Sequence, residues 1–117
     1  MKKKLKKLTA DQLSALKSQF SSLLFSNPFH LVYENQIPNT GVILIDGEAH
    51  LTRRNKGLLR LEPGSMVGVH ELVHNEPVKY GCQIKENAEV ILLQKSDVLN
   101  ALSDEESLLH QVMKNRQ

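Results

Sequence analysis

His70-Glu71-Leu72-Val73-His74 carries the residue types of a zinc-dependent hydrolase. Two imidazoles at i and i+4 on one helix face can share a zinc ion, and the carboxylate between them can activate water. A third ligand is required, for which Glu86 or Glu89 could be proposed. The neighbouring residues weigh against this chemistry. Pro77 stops a helix shortly after His74, and Gly64 and Gly68 precede the motif, so the helix is too short to be a buried metal scaffold. Strand-like residues flank it on both sides. The plainer expectation is no metal: Leu72 and Val69 pack inward, while His70, Glu71 and His74 lie at the surface. A metal site built on facing strands would need another ligand, and His50 is a weak candidate. Cys82 alternates with Val78 and Tyr80, so a core thiol is expected rather than a nucleophile. His30 and His110 have no companion residues in sequence, and no Gly-rich phosphate loop with a following Lys occurs.

The motif sits inside a longer organising stretch, Pro63 to Cys82. A turn at Pro63-Gly64 opens it. A short helical crossing from Gly68 to Asn75 follows. An alternating strand then places Val78, Tyr80, Cys82 and Ile84 on one face. A single helical turn between two strands can aim backbone N–H groups at a ligand.

The 117 residues suit one domain. Aromatic residues are scarce, so Leu, Val and Ile must supply the core. Five of the fifteen basic residues are Lys2, Lys3, Lys4, Lys6 and Lys7. The other ten face thirteen acidic residues, so the body is mildly acidic, which argues against direct nucleic-acid binding. The lone Cys82 excludes an internal disulfide and fits a reducing, cytoplasmic compartment. No apolar run approaches the roughly 18 residues of a membrane span. The lysine run is not followed by an apolar stretch, since Asp11, Gln12 and Lys17 intervene, so no secretion signal is expected. Residues 1–8 read as a basic tail, solvated or in contact with an acidic partner or anionic lipid.

Residues 9–117 read as one domain. A helix is expected over 9–26: Thr9 and Gln12 form a capping box, Leu8 and Leu13 a hydrophobic staple. Leu13, Leu16, Phe20, Leu23 and Leu24 make its apolar stripe, and Asn27-Pro28 ends it. From 29 to 95 short apolar runs alternate with turn signals. Leu31-Val32-Tyr33, Val42-Ile43-Leu44-Ile45, Glu48 to Thr52, Leu58 to Leu61, Val78 to Ile84 and Val90-Ile91-Leu92-Leu93 read as strands, with Asp46-Gly47 as a hairpin turn. The fold class is mainly β with flanking helices, an antiparallel β-roll of about eight short strands. Helices follow over 96–115, with Ser96 capping the first and Ser103 and Glu106 boxing the second. Leu108, Leu109, Val112 and Met113 form the last helix's apolar face.

This order of elements resembles the cyclic nucleotide-binding domain of catabolite-activator and protein-kinase regulatory type, from about Phe29 to Leu102. Val42-Ile43-Leu44-Ile45-Asp46-Gly47-Glu48-Ala49 is similar to the family's strand and Gly-Glu turn. Leu61-Glu62-Pro63-Gly64-Ser65-Met66-Val67-Gly68 is similar to its approach to the phosphate-binding cassette, and Pro77 falls where its Pro-Arg pair begins. Val90 to Leu93 followed by Ser96-Asp97-Val98-Leu99 resembles its last strand and following helix.

The resemblance implies a ligand site at Gly68, Val69, His70, Glu71, Leu72, Val78, Lys79 and Tyr80, in altered form. The family places a Glu after the leading Gly to hold the ribose hydroxyl; here Val69 stands there. The family's Arg after Pro answers the cyclic phosphate; here it is Val78, with Lys79 one place on. Strand alternation predicts that Lys79 points away from the site if Val78 points in. Glu71 is the nearest carboxylate, two places late. Each lost charge-assisted contact forfeits about 1.5–3 kcal/mol, a weakening of roughly tenfold to a hundredfold. The expectation is a non-catalytic regulatory module, degenerate for cyclic AMP and without a bound cofactor. It would act through a protein partner or a second copy of itself, with Leu108, Leu109, Val112 and Met113 either forming the interface or packing on the same chain. A genuine sensor of a cyclic nucleotide or other small anion is the alternative reading, and a zinc hydrolase the remote one.

Overall fold

A computed structural model describes residues 9–54 and 56–104. Eight strands and three helices follow in the order α1 (Ala10–Gln19), β1 (Ser22–Phe25), β2 (Phe29–Val32), β3 (Thr40–Asp46), β4 (Ala49–Arg53), β5 (Lys56–Leu61), β6 (Met66–Val67), α2 (Val69–His74), β7 (Gly81–Ile84), β8 (Ala88–Gln94) and α3 (Lys95–Ser103). The strands form two four-stranded antiparallel sheets, ordered β1-β8-β3-β6 and β2-β7-β4-β5. The expected mainly-β roll with flanking helices is what forms.

The two apolar runs Val42 to Ile45 and Val90 to Leu93 are continuous because β3 and β8 are buried on both faces. Val42, Leu44 and Val90 point between the sheets, into a core with Val32, Ala49, Leu61, Val78, Cys82 and Ile84. Ile43, Ile91 and Leu93 point the other way, into a core with Leu16, Met66, Leu72, Val98 and Ala101. The second core is roofed by all three helices.

Helix α1 begins as its sequence predicts. The Thr9 N–H donates to Gln12 Oε1 at 2.9 Å, and the Gln12 N–H donates to Thr9 Oγ1 at 3.2 Å. It ends earlier than expected. Phe20 has extended backbone, and Ser22–Phe25 pairs with β8 as a strand, so Leu23 and Leu24 are exposed on β1 rather than part of a helical stripe. Only Leu13, Leu16 and Phe20 face the core. An edge position on β8 satisfies the backbone of Ser22 to Phe25, which outweighs the helical spacing.

The Asp46-Gly47 turn is not a hairpin. β3 pairs with β8 and β6, while β4 pairs with β5 and β7, so the turn carries the chain from one sheet to the other. Gly47 has φ 86°, and a Cβ there would stand 2.8 Å from Ala88 Cα. Helix α3 starts before Ser96: Gln94 is its cap, its N–H donating to Asp97 Oδ2 at 2.9 Å. Ser103 is the last residue of α3, its hydroxyl donating to the Leu99 carbonyl at 2.9 Å, and the second helix expected from Ser103 lies outside the described residues. Leu8, Glu106, Leu108, Leu109, Val112 and Met113 lie outside the described residues.

Candidate functional site

The organising stretch takes its shape from three left-handed residues. Gly64 (φ 97°) turns the chain after β5, Gly68 (φ 77°) starts α2, and Asn75 (φ 54°) ends it. The Asn75 N–H returns to the Glu71 carbonyl, and Leu72, the buried residue of this six-residue helix, is its anchor in the core. The brief helix between strands is as expected.

Beside α2 lies a cavity of about 580 Å³. Of the residues expected at the ligand site, Gly68, Val69, His70, Glu71, Val78, Lys79 and Tyr80 line it. Leu72 does not, being 3% exposed beneath the helix. The strands contribute Leu51, Leu59, Arg60, Leu61, Glu62, Ser65, Met66 and Val67. The Leu59-Arg60-Leu61 run reads only as a strand in sequence. Its place on the cavity wall follows from β4 and β5 crossing to the second sheet.

The strand alternation on which the expected direction of Lys79 rests is absent. β7 begins only at Gly81, so Val78, Lys79 and Tyr80 do not alternate as strand residues. Val78 is held instead by the preceding loop: its N–H donates to the Gln36 carbonyl at 2.9 Å, and its carbonyl accepts from the Asn35 N–H at 2.8 Å. This irregular segment lets buried Val78 and exposed Lys79 both reach the cavity wall. Of the residues expected to share a buried face with Cys82 and Ile84, Tyr80 is 39% exposed.

Charge is distributed unevenly along the wall. Arg60 Nη1 stands 3.7 Å from Glu48 and its Nη2 3.8 Å from Glu62. His70 Nε2 stands 3.9 Å from Glu76 Oε2, both at the surface. The His70 and His74 rings do come together, with centroids 4.4 Å apart. Among the described residues, however, no group of three ligand-type side chains could hold a metal ion. Glu89 is engaged elsewhere, accepting from the Ser22 hydroxyl at 2.6 Å and lying 3.0 Å from Lys17 Nζ. His50 stands 3.2 Å from Glu48. The hydrolase residues therefore converge on no third ligand among the described residues.

Cys82 is fully buried, as expected, and burial pushes its thiol up to about 12.

The same architecture occurs in solved structures. A protein from work on a cyclic-GMP-dependent signalling pathway that regulates bacterial phytopathogenesis matches with a TM-score of 0.73 at 16% identity, over 92% of this chain and 89% of that one. The Thermus thermophilus catabolite activator protein matches with a TM-score of 0.67 at 18% identity, over 92% of this chain and 53% of that one. The chain has the fold of a cyclic nucleotide-binding domain. The fold also occurs in the regulatory subunit of a cAMP-independent protein kinase A from Trypanosoma cruzi, bound to guanosine, with a TM-score of 0.60 at 17% identity, over 80% of this chain and 34% of that one. No family model and no curated protein matches the sequence. Among the described residues no helix is long and apolar enough to cross a membrane.

Proposed function

We propose that this chain is a non-catalytic regulatory module that has lost the ordinary grip on cyclic AMP and works through a protein partner or a second copy of itself. The observation that carries this reading is the pair Val69 and Val78 on the cavity wall. Where the resembled family holds a ribose hydroxyl and a cyclic phosphate, these side chains can accept and donate nothing. A phosphate seated against buried Val78 would lose water without gaining a partner, a cost that opposes binding. The cAMP-independent kinase subunit from Trypanosoma cruzi supplies a parallel for regulation on this fold without cyclic AMP.

Thermal melts with cyclic AMP, cyclic GMP and cyclic dinucleotides test the proposal. No shift is expected at sub-millimolar nucleotide; a rise of several degrees would overturn it.

One observation favours a second reading, a sensor using an altered cassette. The cavity is retained, and Glu71 and Lys79 both line it although neither stands at the family's position. A small ligand other than cyclic AMP would then bias α2, and through α2 the packing beneath it.

A further inference from the structure

The charges on the cavity wall are not all answered. Arg60 lies between Glu48 and Glu62, and His70 faces Glu76. Glu71 and Lys79 have neither an ion pair nor a side-chain hydrogen bond among the described residues. They stand at opposite ends of the cassette sequence yet line one cavity. Six aliphatic side chains share that lining: Leu51, Leu59, Leu61, Val67, Val69 and Val78. The cavity's volume of about 580 Å³ is in the range of small-molecule sites.

We infer that the cavity takes a small zwitterion with an apolar body, a hydrophobic amino acid or a dipeptide of such residues. Its carboxylate meets Lys79, its ammonium meets Glu71, and its side chains cover the aliphatic wall. The inference rests on the sensor reading of the cavity and names its ligand class. Charge balance decides between classes. A hydrophobic carboxylate would answer Lys79 but stand against an unanswered Glu71, and an alkyl amine would fail in the reverse sense. A cyclic nucleotide brings an anion and hydroxyls but no cation, so it could give the half-buried Glu71 carboxylate a hydrogen bond but no counter-charge. A zwitterion answers both groups and adds no net charge to the cavity.

The test uses the full chain and thermal melts with L-leucine, L-phenylalanine and L-leucyl-L-leucine, each beside its N-acetyl and C-terminal amide derivative. Ligand-observed NMR on the same samples reports weak binding directly. The free zwitterions are expected to raise the melting temperature, and blocking either end to weaken binding about tenfold, the loss of one charge-assisted contact. Lys79→Met is expected to erase the preference for the free carboxylate and leave that for the free amine. Glu71→Gln is expected to do the opposite. Each variant's ligand-free melt and its retained response to the other end report that it is folded. The inference is overturned if no zwitterion binds, if blocked forms bind as well as free ones, or if each variant leaves both preferences intact. Cyclic AMP serves as the separating arm. A response to cyclic AMP overturns the proposed function, whereas silence toward both nucleotides and zwitterions overturns the ligand class alone.

Discussion

Val78, which the sequence resemblance sets at the position of the family's guanidinium, is 5% exposed. Its consequence is measurable in reverse. Val69→Glu with Val78→Arg places a hydroxyl acceptor and a phosphate donor on the cavity wall. Each charge-assisted contact contributes about 1.5–3 kcal/mol, so the double variant should gain cyclic AMP affinity by at least roughly tenfold per position. Calorimetric titration reads the gain; a folded double variant with no response would mean that the cavity cannot seat the nucleotide in any register. Cys82 gives a second prediction at this scale. Its folded value of about 12 lies above the ordinary 9.0, so the native state keeps a proton that the unfolded chain loses. Stability therefore falls as pH rises from about 9 to about 12, and is unaffected by this group below that window. Cys82→Ala should remove that alkaline component. A maleimide at neutral pH should label Cys82 only in denaturant, and rapid native labelling would contradict its burial.

Among the elements, α1 is held to the sheet by buried Leu16, with Leu13 and Phe20 packed beside it, and by one carboxylate. Leu16 is 0% exposed in the core under the helices, so Leu16→Ala should cost about 2–5 kcal/mol in a denaturant titration, while Leu24→Ala on exposed β1 should cost little. Glu89 connects α1 to β1 and β8. The Ser22 hydroxyl and the Lys17 ammonium hold it below the usual carboxylate range. A lowered folded value means stabilisation that is present at neutral pH and lost as pH falls through that value, below the ordinary 4.5. Glu89→Gln should flatten the acid limb of the melting profile and lower the melting temperature slightly at neutral pH; an unchanged acid limb would rule the contact out as a determinant. These elements also mark what the sequence makes legible. The Thr9–Gln12 box and the double-sided runs of β3 and β8 are readable because local hydrogen bonding and burial both dictate them. Ser22 to Phe25 is not, because its strand state depends on β8, more than sixty residues away in the chain. The same holds for the site. Positions 69 and 78 do meet on one cavity wall, but the alternation assumed at Lys79 has no strand to rest on, since β7 begins at Gly81. The backbone path there follows from Val78 bonding to the Asn35–Gln36 turn, a contact with no signature in either segment.

Across the whole molecule, α2 links the cavity to the C-terminal end of the described chain. Val69 lines the cavity and packs on the helix-roofed core, where Leu72 lies close to Val98 and Ala101 of α3 in one cluster. The Lys95 ammonium donates to Asn75 Oδ1 at 3.1 Å, tying the end of α2 to the start of α3. On its outer side α3 leaves Leu99 and Leu102 nearly half exposed, and Leu108, Leu109, Val112 and Met113 follow in sequence. An exposed apolar patch followed by such a sequence suits contact with a partner or a second copy, as proposed above. Among the described residues, both cores draw on side chains from Leu13 to Ala101. Ending the chain after Asp104 should therefore leave the melting temperature close to that of the full chain. Light scattering should show a mass that rises with concentration for the full chain and stays monomeric for the shortened one. A strictly monomeric full chain would remove the second copy as occupant. A large fall in melting temperature on shortening would show that residues 105–117 stabilise their own domain instead of presenting a surface to another molecule.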